Sequence, residues 1–154
     1  MQSPVKPIPD GYHTLTPYLI VRGGFDALAF YAAAFGAREL LRLDAPGGRL
    51  GHAELQIGDS RVMLADEFPD MDARSPSSFG GTPVRMMLYV EDCDALFARA
   101  VAAGAKVIRP LVDQFYGDRV GGLEDPFGHI WFIATHKEDL TPEELSKRAA
   151  AAHG

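Results

Sequence analysis

Two stretches of this chain share one pattern. Gly58-Asp59-Ser60-Arg61-Val62-Met63-Leu64-Ala65 is a polar turn followed by a β-favouring run. Asp125-Pro126-Phe127-Gly128-His129-Ile130-Trp131-Phe132-Ile133-Ala134 repeats that pattern, with a spacing of 68 residues between Leu64 and Phe132. The same spacing joins Asp26-Ala27-Leu28 to Asp94-Ala95-Leu96, and Gly36-Ala37 to Gly104-Ala105. Val21 and Val90 match at one residue more. Several matches in one order point to two copies of a unit.

The content of the unit follows from local pattern. Thr14 to Val21 reads as a strand with Pro17 at its start or edge. Asp26 to Phe35 places Leu28, Tyr31, Ala32 and Phe35 on one helical face, and Gly36 stops that helix. Ala37 to Leu43 is a strand, and Pro46-Gly47-Gly48 turns the chain. His52 to Ile57 alternates polar and apolar residues, as a half-buried strand does, and Arg61 to Ala65 is the last strand. The second copy reads as a strand at Val84 to Val90, a helix at Asp94 to Ala102, and strands through Ile133. The expected organisation is an N-terminal arm (1–11), a first βαβββ module (12–65), a linker (66–81), a second βαβββ module (82–136) and a C-terminal helix (137–154). Thr141-Pro142-Glu143-Glu144 is the capping box that opens this last helix.

Charge and composition exclude several classes. A net charge of −6 with no basic stripe argues against nucleic acid and anionic membranes as partners. No run is long enough to span a bilayer, and Met1 to Gly11 is polar and Pro-rich, unlike a signal peptide. A single Cys93 rules out an internal disulfide and a Cys-rich zinc site. A cytoplasmic protein is expected.

Thr16-Pro17-Tyr18, Phe30-Tyr31, Phe35-Gly36-Ala37, Gly51-His52-Ala53-Glu54 and Asp125-Pro126-Phe127-Gly128-His129 together resemble the vicinal oxygen chelate superfamily, and its PhnB-like branch in wording. That superfamily includes glyoxalase I, extradiol dioxygenases and bleomycin-resistance proteins. The resemblance covers about Tyr12 to His136. It implies an α+β fold in which two tandem βαβββ modules form a curved mixed sheet with a central cavity. It also implies a homodimer, with modules that can exchange between chains. Family metalloenzymes hold a divalent metal with His, Gln and Glu on the first and last strands of each module. Carried over by the helix and the final turn, those positions fall on Thr16, Leu64, Arg85 and Phe132. Hydroxyl, alkyl, guanidinium and phenyl groups do not make a ligand set. No cofactor is therefore expected, and the cavity is expected to hold a small organic molecule.

Strand parity then proposes the lining. If those four residues face the cavity, so do Tyr18, Val62, Asp66, Met87, Tyr89 and Ile130. His52 and Glu54, two apart on one face, are candidate binding groups; the alternative makes them relocated ligands of a metal-dependent lyase, isomerase or dioxygenase. Arg85 at a strand start needs an anionic partner, from the ligand or from an acid such as Glu54. Gln114 and Tyr116, in the loop Gln114 to Arg119, supply an amide and a phenol, and Phe132 an aromatic face. Asp118 and Arg119 could pair locally. A dimeric interaction module with no ligand is the remaining alternative. Gly121-Gly122 has no following Lys-Ser/Thr and is not a phosphate loop.

Overall fold

A computed structural model describes residues 4–153. The chain divides into two compact units, up to Gly80 and from Gly81 onward. In the first, β1 (Tyr18–Val21) leads into α1 (Gly24–Phe35), then β2 (Arg38–Ala45), β3 (Arg49–Ile57) and β4 (Ser60–Asp66). A 3₁₀ turn at Pro69–Met71 and the short α2 (Pro76–Phe79) complete it. In the second, β5 (Arg85–Tyr89) leads into α3 (Cys93–Ala103), then β6 (Lys106–Asp113), β7 (Asp118–Glu124) and β8 (Ile130–His136), followed by α4 (Pro142–His153). Each unit is a four-stranded mixed sheet, ordered β1-β4-β3-β2 and β5-β8-β7-β6. In both, the first strand runs parallel to the last and the other pairs are antiparallel. The α+β class with two βαβββ modules is the fold that the repeat implies.

Each helix stops where expected: Gly36 adopts φ 67° and its N–H returns to Ala32 O, and Gly104 adopts φ 123°. The helix starts are tied to the last strand of their own module. Asp66, at the end of β4, accepts from Gly23 N and Gly24 N, both at 2.8 Å, and from Leu50 N at 2.8 Å. Thr135, near the end of β8, accepts from Cys93 N at 2.9 Å and donates to Val90 O at 2.9 Å. Side chains of different chemistry thus fill equivalent places, each satisfying backbone donors that a helix start leaves open.

These contacts correct the sequence register. Leu64 pairs with Leu19 on one side and Ala53 on the other, all three buried beneath α1. Ile133 is its counterpart, pairing with Leu88 and Gly121. The modules therefore match at 69 residues in the last strand, and Phe132 corresponds to Met63. The shift arises in the turn before it. Five residues (125–129) separate the paired Glu124 and Ile130, whereas four (57–60) separate the paired Gln56 and Arg61. One added residue moves a strand's whole side-chain set to the other face. Hence Leu64, Val62 and Asp66 face the helix and not the concave side; Met63 and Ala65 take the positions assigned to them. The second module follows the expected parity: Met87, Phe132 and Ala134 share the concave face, and Trp131 and Ile133 lie buried opposite it.

The segment after β4 is gathered by one carboxylate. Glu67 Oε1 accepts from Ser75 N at 2.6 Å, Ser75 Oγ at 2.7 Å and Ser78 Oγ at 2.5 Å, and Oε2 accepts from Arg22 Nε at 3.1 Å. These donors, the Ser75 hydroxyl foremost, hold its carboxyl at about 2. Because the folded value is depressed, the stability Glu67 adds is complete above its ordinary titration range. It is lost as pH falls through about 2. Ser75→Ala is expected to move the Glu67 titration upward, read from its carboxyl carbon shift during an acid titration. A wild-type titration in the ordinary carboxylate range would mean that the cluster does not form.

Candidate functional site

The concave face of the second module holds a cavity of about 370 Å³. One row of paired residues crosses the sheet beneath it: Met87 on β5, Phe132 on β8, Gly122 on β7 and Arg109 on β6, of which Met87 and Phe132 give the cavity an apolar floor and Arg109 stands at its edge. Gly122 matters to that row. A Cβ there would lie 2.8 Å from Phe132 Cε1 and 3.2 Å from the Ile108 side chain. Without it, the Phe132 ring leans over β7 towards the far edge of the sheet. Arg85, from β5, sits over this ring with its guanidinium carbon 5.1 Å from the centroid, and Arg109, from β6, is at 5.7 Å. Both are within cation–π range. Val120 and Tyr116 pack against Phe132 as well.

Gln114 and Tyr116 reach the cavity from the β6–β7 turn. Gln114 N donates to Asp118 O at 2.8 Å, and Gly117 turns at φ 93°. The segment after β8 fixes this turn from outside: Lys137 N and Glu138 N both donate to Gly117 O. Arg148 of α4 donates to Phe115 O at 3.2 Å and pairs with Glu138 at 2.8 Å. Thr141 Oγ caps α4 by accepting from Glu144 N at 3.2 Å, as the capping box implies. The C-terminal helix thus contributes to the cavity indirectly, by holding the backbone on which Tyr116 stands. Burial raises the Tyr116 phenol above its usual pKa, with the Asp118 charge adding to this and Arg109 opposing it, so the group is a neutral donor at neutral pH.

Asp118 and Arg119 do not pair with each other. Asp118, buried, accepts from Tyr89 OH at 2.7 Å and bonds His136 Nδ1 at 2.7 Å; His136 Nε2 bonds Asp139 at 2.7 Å. Asp118 and then Asp139 raise the His136 pKa. Arg119 instead makes two contacts of 2.9 Å with Asp94.

His52 and Glu54 lie on the face of the first module's sheet away from its helix, as parity placed them, and form a cluster within that module. His52 Nε2 bonds Glu54 Oε2 at 2.8 Å, and Tyr18 OH bonds His52 Nδ1 at 2.7 Å. Tyr12 OH donates to Glu54 Oε1, and Arg61 covers the Tyr12 ring at 5.0 Å. The Tyr12 hydroxyl and then His52 hold the Glu54 carboxyl below its usual range. Glu54 is thus committed within its own module. Of the sequence candidates, Arg85, Gln114, Tyr116 and Phe132 come together at the cavity of the second module, and His52 and Glu54 come together within the first.

Arg109 escaped the sequence reading. The sequence pattern for that strand runs from Ala105 to Ile108 and leaves Arg109 outside it. Here Pro110 lies on β6, an edge strand, where the missing donor is tolerated. Irregular pairing on both sides of Arg109 offered no parity signal either.

The positions where the resemblance places a metal do not fit one. Arg85 is a fixed cation against a phenyl ring, and Phe132 and its register-corrected counterpart Met63 offer at most a thioether. Among the described residues no group of three His, Cys, Asp or Glu is arranged to hold a metal ion.

Comparison with known proteins agrees with this architecture. The family described as Glyoxalase/Bleomycin resistance protein/Dioxygenase superfamily matches residues 12–133. The uncharacterized protein Mb0911c of Mycobacterium bovis is 44% identical over 134 residues, covering 85% of this chain and 88% of that one. Among solved structures, TioX from Micromonospora sp. ML1 superposes with a TM-score of 0.65 at 31% identity, covering 80% of this chain and 98% of TioX. The Arabidopsis thaliana gene product At5g48480 gives the same TM-score at 28% identity, over 80% of this chain and 98% of its own. No helix among the described residues is long and apolar enough to cross a membrane. With the duplicated βαβββ unit and a family match over most of its length, this chain belongs to the glyoxalase/bleomycin resistance/dioxygenase superfamily.

Proposed function

We propose that this protein binds a small organic molecule in the cavity of its second module, without a metal at the family's ligand positions. One observation carries the reading: Arg85, Gln114, Tyr116 and Phe132, distant in sequence, converge with Arg109 on one concavity of about 370 Å³. That volume is within the range of small-molecule sites, and an apolar floor with a few polar groups at its edge is their usual chemistry. The cavity also has a rigid support, since β7 and β8 pair along their full length. We place the chain in the PhnB-like branch on the wording of its motifs, and take the homodimer implied by that resemblance as part of the proposal. Sedimentation velocity tests the homodimer.

The test of binding uses the full chain, chelator-treated, screened against a set of small aromatic fragments by amide chemical shifts. Fragments are expected to shift Gln114, Tyr116 and Val120, with affinities unchanged after Ni, Zn, Fe or Mn is added. Phe132→Leu is expected to weaken them about tenfold, or ~1.4 kcal/mol, by removing the ring face. Binding that requires an added divalent metal, or shifts confined to other residues, would overturn the proposal.

A further inference from the structure

We propose that the ligand of this cavity is an organic oxyanion, its charged head held between Arg85 and Arg109 and its apolar body laid on Phe132. The inference rests on the cavity being a binding site and adds the class of molecule that it takes.

The first ground is uncompensated charge. Arg22, Arg42, Arg74, Arg119 and Arg148 each pair with a carboxylate within 4 Å, while Arg38, Arg49 and Arg61 show no such pair among the described residues and, unlike Arg85 and Arg109, do not share a ring. Arg85 and Arg109 do not; among the described residues neither makes an ion pair or side-chain hydrogen bond, and both contact the Phe132 ring. The neighbouring acids are otherwise disposed. Asp118 is taken by Tyr89 and His136. Glu124 shares a cross-strand row with Ile130 and Arg85, yet forms no ion pair with Arg85. Both guanidinium groups are exposed, so water screens their mutual repulsion, but two like charges directed at one ring form a positive place that an anion fits.

The second ground is geometry. The two guanidinium groups come from β5 and β6, the opposite edges of a four-stranded sheet. Gly122 removes the side chain that would separate them, and the Phe132 ring bridges the gap. A guanidinium presents a planar fork that matches carboxylate and phosphonate oxygens two at a time. Gln114 and Tyr116 add neutral donors at the rim, which suit further oxygen atoms. Met87, Val120 and Phe132 offer no polar partner, so the rest of the ligand is apolar.

Matched probe pairs test this: 2-naphthoate against 2-naphthamide, and phenylphosphonate against benzyl alcohol. Each is titrated into the chelator-treated full chain at low salt, with the amide shifts of Gln114, Tyr116 and Val120 as readout. The anion of each pair is expected to bind at least tenfold more tightly than its neutral partner. Raising the salt to half-molar is expected to erase most of that advantage. Arg85→Gln and Arg109→Gln are each expected to lower it several-fold, and the double variant to bring it below twofold while neutral-probe affinity holds. Both arginine sites are at the sheet edge, so the variants should fold; circular dichroism checks this, and each single variant decides if the double one fails. Equal binding of charged and neutral partners overturns the oxyanion inference and leaves the cavity as a neutral-ligand site. No shift at these residues with any probe overturns both.

Discussion

Asp125→Ala is expected to cost this protein about 3–5 kcal/mol of folding stability, a large part of the 5–15 kcal/mol that holds a typical domain. Asp125 is only 4% exposed, yet its carboxylate is fully engaged. Oδ1 accepts from Phe127 N at 2.8 Å and His129 N at 3.0 Å, closing the turn, and Oδ2 accepts from the indole Nε1 of Trp131 at 2.9 Å. Removing it takes one acceptor from each of two backbone donors and one indole donor, and losing the acceptor of a buried donor costs about 1–3 kcal/mol. Asp125→Asn keeps an acceptor for the turn or the indole, but turns an amide donor towards the other, so about half the loss is expected. Urea denaturation followed by circular dichroism measures both. A double-mutant cycle with Trp131→Phe isolates the indole bond: the loss from Asp125→Ala should be smaller when the indole donor is already gone. An unchanged midpoint for Asp125→Ala would show that the turn stands without this carboxylate.

The Asp125 turn bears on the cavity because it sets the phase of β8. Trp131, 1% exposed, is locked on the helix side by its bond to Asp125, and alternation then delivers Ile130 and Phe132 to the concave face. Much of this was legible in the residues: the Pro-Gly turn, the bulky run after it, and an earlier copy of both. The side that Phe132 faces was legible too. For Leu64 it was not, because comparing the repeats one-for-one ignores the extra residue in the second turn. A hydrophobic run such as Val62-Met63-Leu64-Ala65 carries no polar alternation to betray the slip. Asp66 held the missing signal: a carboxylate at the end of an apolar strand has no place in a greasy concavity, but it can serve backbone donors at a helix start.

The site was legible in the same uneven way. Arg85, Gln114, Tyr116 and Phe132 are residue types that attract notice on a strand start, a loop and a β-strand. Their convergence depends on pairing across three strands, which local pattern does not encode. Arg109 depends on still more, since an edge strand must tolerate Pro110 before the residue beside it can belong to the sheet. His52 and Glu54 were read correctly as a facing pair, but what they face could not be read. Tyr12 and Tyr18 come from the start of the chain, and their hydroxyls claim the pair by tertiary contact alone.

Asp66→Ala is expected to be the second severe change, also about 3–5 kcal/mol, and to act on the first module. Its carboxylate meets three backbone N–H groups at 2.8 Å, two at the start of α1 and one at Leu50, at a site that is 8% exposed. A negative charge there also opposes the positive end of the helix dipole. Nothing local substitutes for it: Gly23, before the helix, has no side chain to cap with. The second module suggests a graded test. Thr135 does the equivalent work with one hydroxyl, helped by Asp92, whose side chain caps Ala95 N at 3.1 Å. Asp66→Thr is therefore expected to retain one helix-start bond and lose roughly 2 kcal/mol less than Asp66→Ala, since no counterpart of Asp92 stands before α1. Amide hydrogen exchange locates the effect. Gly24 and Leu50 should lose protection in both variants, Leu50 more completely because a threonine hydroxyl cannot serve both ends. If Leu50 stays as protected in Asp66→Ala as in the wild type, the carboxylate is not what joins α1 to β3.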